Sequence, residues 1–132
     1  MTPSSDQSQY LHAELTAKII GCAMKVHSAL GPGLLESCYE ACLVHELSKA
    51  GLSVRRQAEL PVEYDGVRVD AGFRIDLLVE HVVIVELKVV DRVLPIHEAQ
   101  LFTYLKLTGC RVGLIINFNV QSLKDGITRR VL

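Results

Sequence analysis

The sequence lacks the features that mark membrane-bound, secreted and strongly basic proteins. No apolar run approaches the length of a membrane span. The opening residues MTPSSDQSQ have neither the basic start nor the apolar stretch of a signal peptide, so we expect a flexible tail over residues 1–9 and a cytoplasmic location. The formal net charge is only −1, which argues against a general, histone-like nucleic-acid binder. A polyanion must therefore be bound by a local patch or through metal ions.

The four cysteines include no CxxC pair, the usual signature of a structural zinc site. Cys38, Cys42 and His45 share one side of a predicted helix, a spacing that permits metal ligation. A structural zinc site, however, usually takes four ligands from two separate segments. Small buried thiols in a reduced compartment are the better interpretation.

The chain has a globular composition, with 49% hydrophobic and 22% charged residues. We see no repeat, no low-complexity segment and no interior linker. A length of 132 residues suits one domain, which we expect to span residues 10–132.

Two helical patterns come first in the chain. Apolar residues at steps of three and four predict a helix over residues 10–30 and a second over residues 34–50, separated by the breaker LGPG. The alternating stretch LPVEYDGVRVDAGFRIDLLV then predicts a hairpin around Asp65-Gly66.

The second half of the chain alternates between strand and helix patterns. A nearly all-apolar strand over residues 82–90 precedes a helix over 94–108, and the strand RVGLIINF follows. A helix between two apolar strands indicates a right-handed crossover that joins parallel strands. The tail over residues 120–132 suggests a short helical turn and an edge strand through TRRVL. The prediction is an α/β fold with a mixed sheet flanked by helices, in the order α-α-β-β-β-α-β.

A glutamate and a lysine interrupt the apolar strand VVIVELKVV. Glu86 and Lys88 are two residues apart, so both point to one side of the strand. Burying a charge is costly unless the charge is paired or bound to a metal. The two residues form either an ion pair where the strand emerges into solvent, or part of a functional site.

Asp76 precedes this strand in what should be the other arm of a hairpin. A loop of odd length through residues 80–82 places Asp76 opposite Glu86 on one face, whereas a two-residue turn separates them. Two neighbouring carboxylates repel, which raises the pKa of one of them unless a cation lies between. Mg²⁺ or Mn²⁺ suits such an oxygen-lined site, and Lys88 could stabilise developing negative charge or position a water. The set fits metal-assisted phosphodiester hydrolysis.

Three residues on the predicted helices are candidates to join this site. Glu36 lies at the border of the buried face of the second helix; alternatively, with Gly33 as N-cap, it caps that helix from the third position. Gln100 and Tyr104 are one turn apart on the third helix. That helix starts near the end of the apolar strand, which puts Gln100 within reach of the charged pair. Tyr104 could equally be a tyrosine at the rim of the core. The preceding His97 could contact a substrate phosphate or cap the helix, and the cap is the better explanation.

The series Asp76, Glu86-x-Lys88 and Gln100-x-x-x-Tyr104 resembles the PD-(D/E)xK nuclease superfamily. Its last element resembles the RecB-like branch, and the stretch GLLESCY at 33–39 is similar to the signature of the GxxExxY family. The resemblance extends over about residues 13–132. One departure is that Ile75, not proline, precedes Asp76.

This resemblance implies a restriction-endonuclease-like core and a role for each matched residue. Asp76 and Glu86 would be metal ligands, with Glu36 as the acidic residue of the first core helix beside them. Lys88 would be the catalytic lysine, Gln100 a supporting polar group, and Tyr104 a neighbour of the site.

The implied function is a Mg²⁺- or Mn²⁺-dependent nuclease acting on DNA, or less readily on RNA. The alternative is a catalytically silent nuclease-like fold that binds nucleic acid or a protein partner. A third interpretation is a hydrolase of a nucleotide or another small phosphate. A domain of this size has little surface for reading a sequence, so a homodimer or a partner protein would supply specificity.

Overall fold

Helices and strands follow the order expected from the sequence, except that there are two more strands than predicted. A computed structural model describes residues 10–132, and the predicted flexible tail lies outside the described residues. The helices are α1, α2 and α3, at Ala13–Leu30, Glu36–Lys49 and Pro95–Thr108. The strands, β1 to β7, are Val54–Glu59, Val62–Tyr64, Val67–Val69, Arg74–Val79, Val83–Lys88, Val112–Asn117 and Ile127–Val131. A short 3₁₀ turn at Leu123–Gly126 precedes β7. Within residues 10–132, no helix combines the length and the apolar character needed to cross a lipid bilayer.

Five strands form one mixed sheet in the order β1-β4-β5-β6-β7. The central strands β5 and β6 are parallel and are joined through α3, while the other neighbouring strands are antiparallel. The mixed sheet and the parallel pair confirm the sequence prediction. The remaining strands, β2 and β3, form a separate two-stranded ribbon, and Asp65 and Gly66 at its turn have left-handed φ values of 53° and 74°. The Asp65-Gly66 turn is therefore also confirmed.

The core has one layer on each face of the sheet. Helices α1 and α2 cover one face, and α3 covers the other. The first layer contains, among others, Ile19, Ala23, Tyr39, Leu43, Val85, Leu87, Leu114 and Phe118. The second contains Ala58, Leu60, Ile75, Ile84, Leu101, Tyr104, Leu105 and Ile115. Strand β5 contributes to both layers, because its successive side chains alternate between the two faces.

Three details differ from the sequence predictions. The arm predicted after the Asp65-Gly66 turn is divided into β3 and β4, with Gly72 at a φ of 75° between them. Strand β1 was not predicted, and it forms the edge of the sheet beside β4. The N-cap of α2 is Leu35 and not Gly33, so Glu36 is the first residue of that helix. At this position Glu36 cannot make the third-residue capping contact, and that alternative is wrong. The edge strand through TRRVL is confirmed as β7, which pairs with β6.

Candidate functional site

The register between β4 and β5 brings two acidic residues side by side. The connecting loop is residues 80–82, and backbone pairs run from Val79–Val83 to Leu77–Val85. Continuing this register by one residue sets Asp76 opposite Glu86. Glu80 and His81 in the loop adopt left-handed φ angles of 52° and 60°, which allows the tight three-residue connection. The odd-length loop predicted from the sequence is confirmed.

The side chains of Asp76 and Glu86 take over hydrogen bonding where the backbone ladder stops. The N–H of Asp76 donates to Glu86 Oε1 at 3.4 Å. The N–H of Leu87 donates to Asp76 Oδ2 at 2.8 Å. The N–H groups of Asp76 and Leu87 have no backbone partner across these two strands and donate to carboxylate oxygens instead. These bonds hold both acidic side chains between the ends of β4 and β5.

The regular alternation of faces is interrupted at Asp76. Ile75 and Leu78 pack in the layer beneath α3, whereas Leu77 and Val79 pack in the layer beneath α1 and α2. Strict alternation would put Ile75 and Leu77 on the same face. Because the break falls at its own position, Asp76 lies where both helical layers can reach it.

Burial and repulsion leave one carboxyl of the pair protonated. Glu86 is only 5% exposed. Burial first, and then the negative charge of Asp76, raise the pKa of Glu86 to about 9, while the ammonium of Lys88 opposes this shift. Lys88 is half-buried on the same side of β5 as Glu86. The pair therefore lacks enough positive charge to ionise fully near neutral pH.

Helices α2 and α3 each bring one group into electrostatic reach of the pair. Partial desolvation raises the pKa of Glu36, the charge of Asp76 raises it further, and Lys88 lowers it. Burial raises the pKa of Tyr104, and the charges of Glu86 and Asp76 add to that rise. Electrostatic interactions therefore link five side chains of the site: Glu36, Asp76, Glu86, Lys88 and Tyr104. These residues come from α2, β4, β5 and α3.

Gln100 is the predicted site residue that the structure connects least to the others. It is half-buried on α3, and within residues 10–132 its amide makes no hydrogen bond. The Tyr104 hydroxyl likewise has no hydrogen-bond partner there; its ring contacts Phe73 edge-on at a centroid distance of 6.5 Å. His97 accepts a hydrogen bond from the N–H of Leu94 at 3.0 Å, which confirms that it caps α3.

A tyrosine fixes the loop that presents Glu36. The hydroxyl of Tyr39 donates to the carbonyl of Gly31 at 2.5 Å and accepts from the N–H of Leu34 at 3.1 Å. Its ring stacks on Phe118, with centroids 4.5 Å apart and planes 9° from parallel. The tyrosine thus holds the loop before α2 against the end of β6, and Glu36 is the first residue after that loop.

Two polar residues beside Asp76 escaped the sequence analysis. The buried carboxylate of Glu40 accepts from Arg56 at 3.2 Å and from the amide of Gln57 at 2.6 Å. The same Gln57 amide lies 3.4 Å from Asp76 Oδ1. Glu40 follows Glu36 by four residues on α2, a spacing that puts both on one side of a helix and could have drawn attention to it.

The donor atoms of the site suit a hard divalent cation. In the described part of the chain, no cluster of three or more His, Cys, Asp or Glu side chains is arranged to hold a metal ion. Cys38 is exposed and Cys22, Cys42 and Cys110 are half-buried, so none of the four thiols is fully buried, and the expectation of buried thiols is wrong. Mg²⁺ often binds through one or two carboxylates and keeps several waters, and the repelling pair of Asp76 and Glu86 fits that mode.

Comparison with known proteins agrees with this architecture. No curated protein and no solved structure matches the chain. The family model described as the PD-(D/E)XK nuclease superfamily matches residues 13–130. The five-stranded mixed sheet between helices is consistent with a restriction-endonuclease-like fold. Because the match covers nearly the whole sequence, the chain belongs to the PD-(D/E)XK nuclease superfamily.

Proposed function

We propose that this protein is a divalent-metal-dependent nuclease that hydrolyses phosphodiester bonds in DNA, with RNA as the second substrate to test. Asp76 and Glu86 would bind Mg²⁺ or Mn²⁺ directly, and Glu36 would be a further acidic ligand that reaches the ion through a bound water. Lys88 would assist the attack of water. The order of these residues supports the RecB-like branch, and Gly33, Glu36 and Tyr39 support the GxxExxY family.

The observation that carries this proposal is the juxtaposition of the Asp76 and Glu86 carboxyl groups, one residue beyond the last backbone pair of β4 and β5. With a pKa of about 9, the buried Glu86 beside Asp76 is protonated at neutral pH, because a second buried negative charge there is unfavourable without a cation. A divalent cation would let both groups ionise, and its binding energy would offset their repulsion. When bound, such an ion lowers the pKa of its water and neutralises charge on the phosphate in the transition state.

The remaining roles follow from the surroundings of the pair. Asp76 is oriented by the Leu87 N–H at Oδ2 and by the Gln57 amide at Oδ1, and each carboxylate oxygen keeps a further lone pair that can face a cation. The Lys88 ammonium lies near two carboxyl groups, where it can hold a water or a phosphate oxygen by a charge-assisted hydrogen bond. Tyr104 and Gln100 would line the substrate side of the site from α3. Tyr104 would pack against the sugar or base, and Gln100 would offer its free amide.

The sequence contains two pairs of adjacent arginines, Arg55-Arg56 and Arg129-Arg130, and one arginine of each pair forms an ion pair within the protein. Arg56 pairs with Glu40 at 3.2 Å, and Arg130 pairs with Glu98 at 2.5 Å. With a net charge of −1, long-range attraction of a polyanion is weak. Binding would then depend on the site itself and on a homodimer or a partner protein. The cytoplasmic location expected from the sequence stays a prediction.

The proposal is tested by nuclease assays on the purified protein and three isosteric variants. Supercoiled plasmid, linear duplex, single-stranded DNA and RNA are incubated with Mg²⁺, with Mn²⁺ or with a chelator. We expect metal-dependent cleavage by the wild type and at least a ~100-fold loss in Asp76→Asn, Glu86→Gln and Lys88→Gln. Glu63→Gln, which removes an exposed carboxylate on the β2–β3 ribbon, is the matched control and should cleave like the wild type.

The same assays separate the proposal from its alternatives. Metal-independent cleavage, or equal cleavage by wild type and all three site variants, would indicate a contaminating enzyme and contradict the proposal. Binding of nucleic acid without cleavage under any metal condition would favour the catalytically silent module. Release of phosphate from nucleotides, with polynucleotides left intact, would favour the small-phosphate hydrolase.

A further inference from the structure

We propose that Gln57 is a positioning residue that holds the Asp76 carboxylate in place by bridging it to Glu40. The catalytic consequence of this bridge rests on the function proposed above, whereas the bridge itself can be tested without metal or substrate.

Gln57 lies directly across the sheet from Asp76. In the β1–β4 register, Gln57 falls between the pairs Arg56–Leu77 and Ala58–Ile75. Gln57, Asp76 and Glu86 therefore form one row across three neighbouring strands. No other side chain of β1 stands opposite a member of the acidic pair.

The hydrogen bonds of Gln57 connect two carboxylates. Its Nε2 donates to Glu40 Oε1 at 2.6 Å and lies 3.4 Å from Asp76 Oδ1. Both partners are acceptors, so only the NH₂ end of the amide can face them; the carbonyl end would be repelled by both. The short hydrogen bond to Glu40 is the stronger of the two and fixes the Gln57 amide. The longer contact then restrains the orientation of the Asp76 carboxylate.

Glu40 is a firm anchor for this bridge. It is 8% exposed, and its second oxygen accepts a bond from Arg56 at 3.2 Å. Asp76 is held on its other side by the Leu87 N–H at 2.8 Å. One oxygen of Asp76 is thus fixed by β5 and the other by the Glu40–Gln57 bridge. In metal sites, hydrogen-bonding groups outside the coordination sphere commonly hold a metal-binding carboxylate in the orientation that the metal requires.

Gln57 has a left-handed backbone conformation inside a strand, whereas the other non-glycine residues with a positive φ within residues 10–132 lie in turns, loops or a helix cap. Its φ is 49°, in the left-handed region that non-glycine residues rarely adopt. This conformation accompanies a change of face along β1, because Val54 packs in the layer beneath α1 and α2 while Ala58 packs beneath α3. Replacement by glycine would relieve the strain and remove the amide at once. The Gln57→Gly variant can therefore show whether the Asp76 carboxylate loses its orientation without a large change in the free energy of unfolding.

The test compares Gln57→Gly with the wild type and with Asp65→Gly. Asp65 also has a left-handed φ, 53°, but lies in the turn of the β2–β3 ribbon, so it controls for relief of strain. The first measurement is hydrogen exchange of the Leu87 amide by NMR in metal-free protein. We expect exchange about ten-fold faster in Gln57→Gly, because a freely rotating Asp76 protects that amide less, and no change in Asp65→Gly.

The second measurement is the affinity for Mn²⁺ by calorimetry, together with urea denaturation of each variant. We expect Gln57→Gly to unfold at a urea concentration close to that of the wild type, because relief of backbone strain offsets the lost hydrogen bond to Glu40, yet to bind Mn²⁺ about 10- to 100-fold more weakly. Unchanged Leu87 exchange in Gln57→Gly would overturn the positioning role. If the wild type itself binds no Mn²⁺, the nuclease proposal fails, while the Leu87 exchange still decides whether Gln57 holds Asp76.

Discussion

The N–H of Asp76 lies 3.4 Å from a carboxylate oxygen of Glu86, one residue beyond the last backbone pair of their strands. Beyond that pair, hydrogen bonds to the carboxyl side chains of Asp76 and Glu86 replace backbone pairing between β4 and β5. This replacement opens a gap between β4 and β5 at which two acidic groups meet. Glu36 on α2 lies close enough to respond to the charge of Asp76, and Tyr104 on α3 responds to the charges of both Asp76 and Glu86.

The raised pKa of Glu86 predicts that the metal-free protein loses stability as the pH rises. The folded state binds a proton at Glu86 up to a pKa of about 9, whereas the unfolded chain releases it near the ordinary value of 4.5. Between these values the folded state holds more protons, so the free energy of unfolding falls with pH, by at most ~1.4 kcal/mol per pH unit. Urea denaturation at about pH 5, 7 and 9 in the presence of a chelator measures this slope.

Glu86→Gln is the control for this titration. The amide cannot ionise, so its stability should change little over the same range of pH, and Mg²⁺ should not alter it. In the wild type, Mg²⁺ should restore stability most at high pH, where Glu86 is ready to release its proton. Equal slopes for the two proteins would mean that Glu86 does not titrate between these values.

Lys88→Met separates catalysis from metal binding. The lysine charge lowers the pKa of both Glu36 and Glu86, so its removal leaves the carboxyl groups more repulsive toward one another and more attractive to a cation. We expect Mn²⁺ binding to be kept or tightened, while kcat/KM for DNA cleavage falls ~100-fold. Lys106→Met, at an exposed position of α3, should change neither quantity. Parallel loss of binding and cleavage in Lys88→Met would make Lys88 a structural residue.

Tyr39→Phe should loosen the loop that presents Glu36. The variant keeps the ring stacked on Phe118 but loses the hydrogen bonds to Gly31 and Leu34. We expect a loss of ~1–3 kcal/mol in the free energy of unfolding and a several-fold reduction in cleavage. The measurements are urea denaturation and initial cleavage rates.

Tyr104→Phe is the matched comparison for that variant. Its hydroxyl has no hydrogen-bond partner within residues 10–132, so its removal should cost no more than ~0.5 kcal/mol. Equal destabilisation of the two variants would show that the hydroxyl contacts of Tyr39 do not hold the loop.

The central part of the fold was predictable because its signals are strong. The run 82–90 is apolar on both faces, the Asp65-Gly66 turn has a specific chemistry, and α3 is bounded by Pro95 and Gly109. The pairing of Asp76 with Glu86 followed from one further condition, the odd length of the loop. Each of these is a local property of the chain.

Strand β1 was missed because its sequence, VRRQAE, gives almost no hydrophobic alternation. It is an edge strand with only Ala58 buried, so pairing with β4 and not burial keeps it extended. Gln57 was missed with it, since its importance lies in a contact across the sheet. The arm after the ribbon turn was also taken as continuous, whereas Gly72, with a φ of 75°, separates β3 from β4. The alternation of apolar and polar residues does not reveal this break, because the alternation continues in the sequence after Gly72.

The most direct test of the account is a crystal of the wild-type protein soaked in Mn²⁺ and measured at the manganese absorption edge. The account predicts one strong anomalous peak between the carboxylates of Asp76 and Glu86, at about 2.0–2.3 Å from an oxygen of each, and no peak there in Glu86→Gln. A map without a peak between these two side chains, or with manganese bound only elsewhere on the protein, would contradict it.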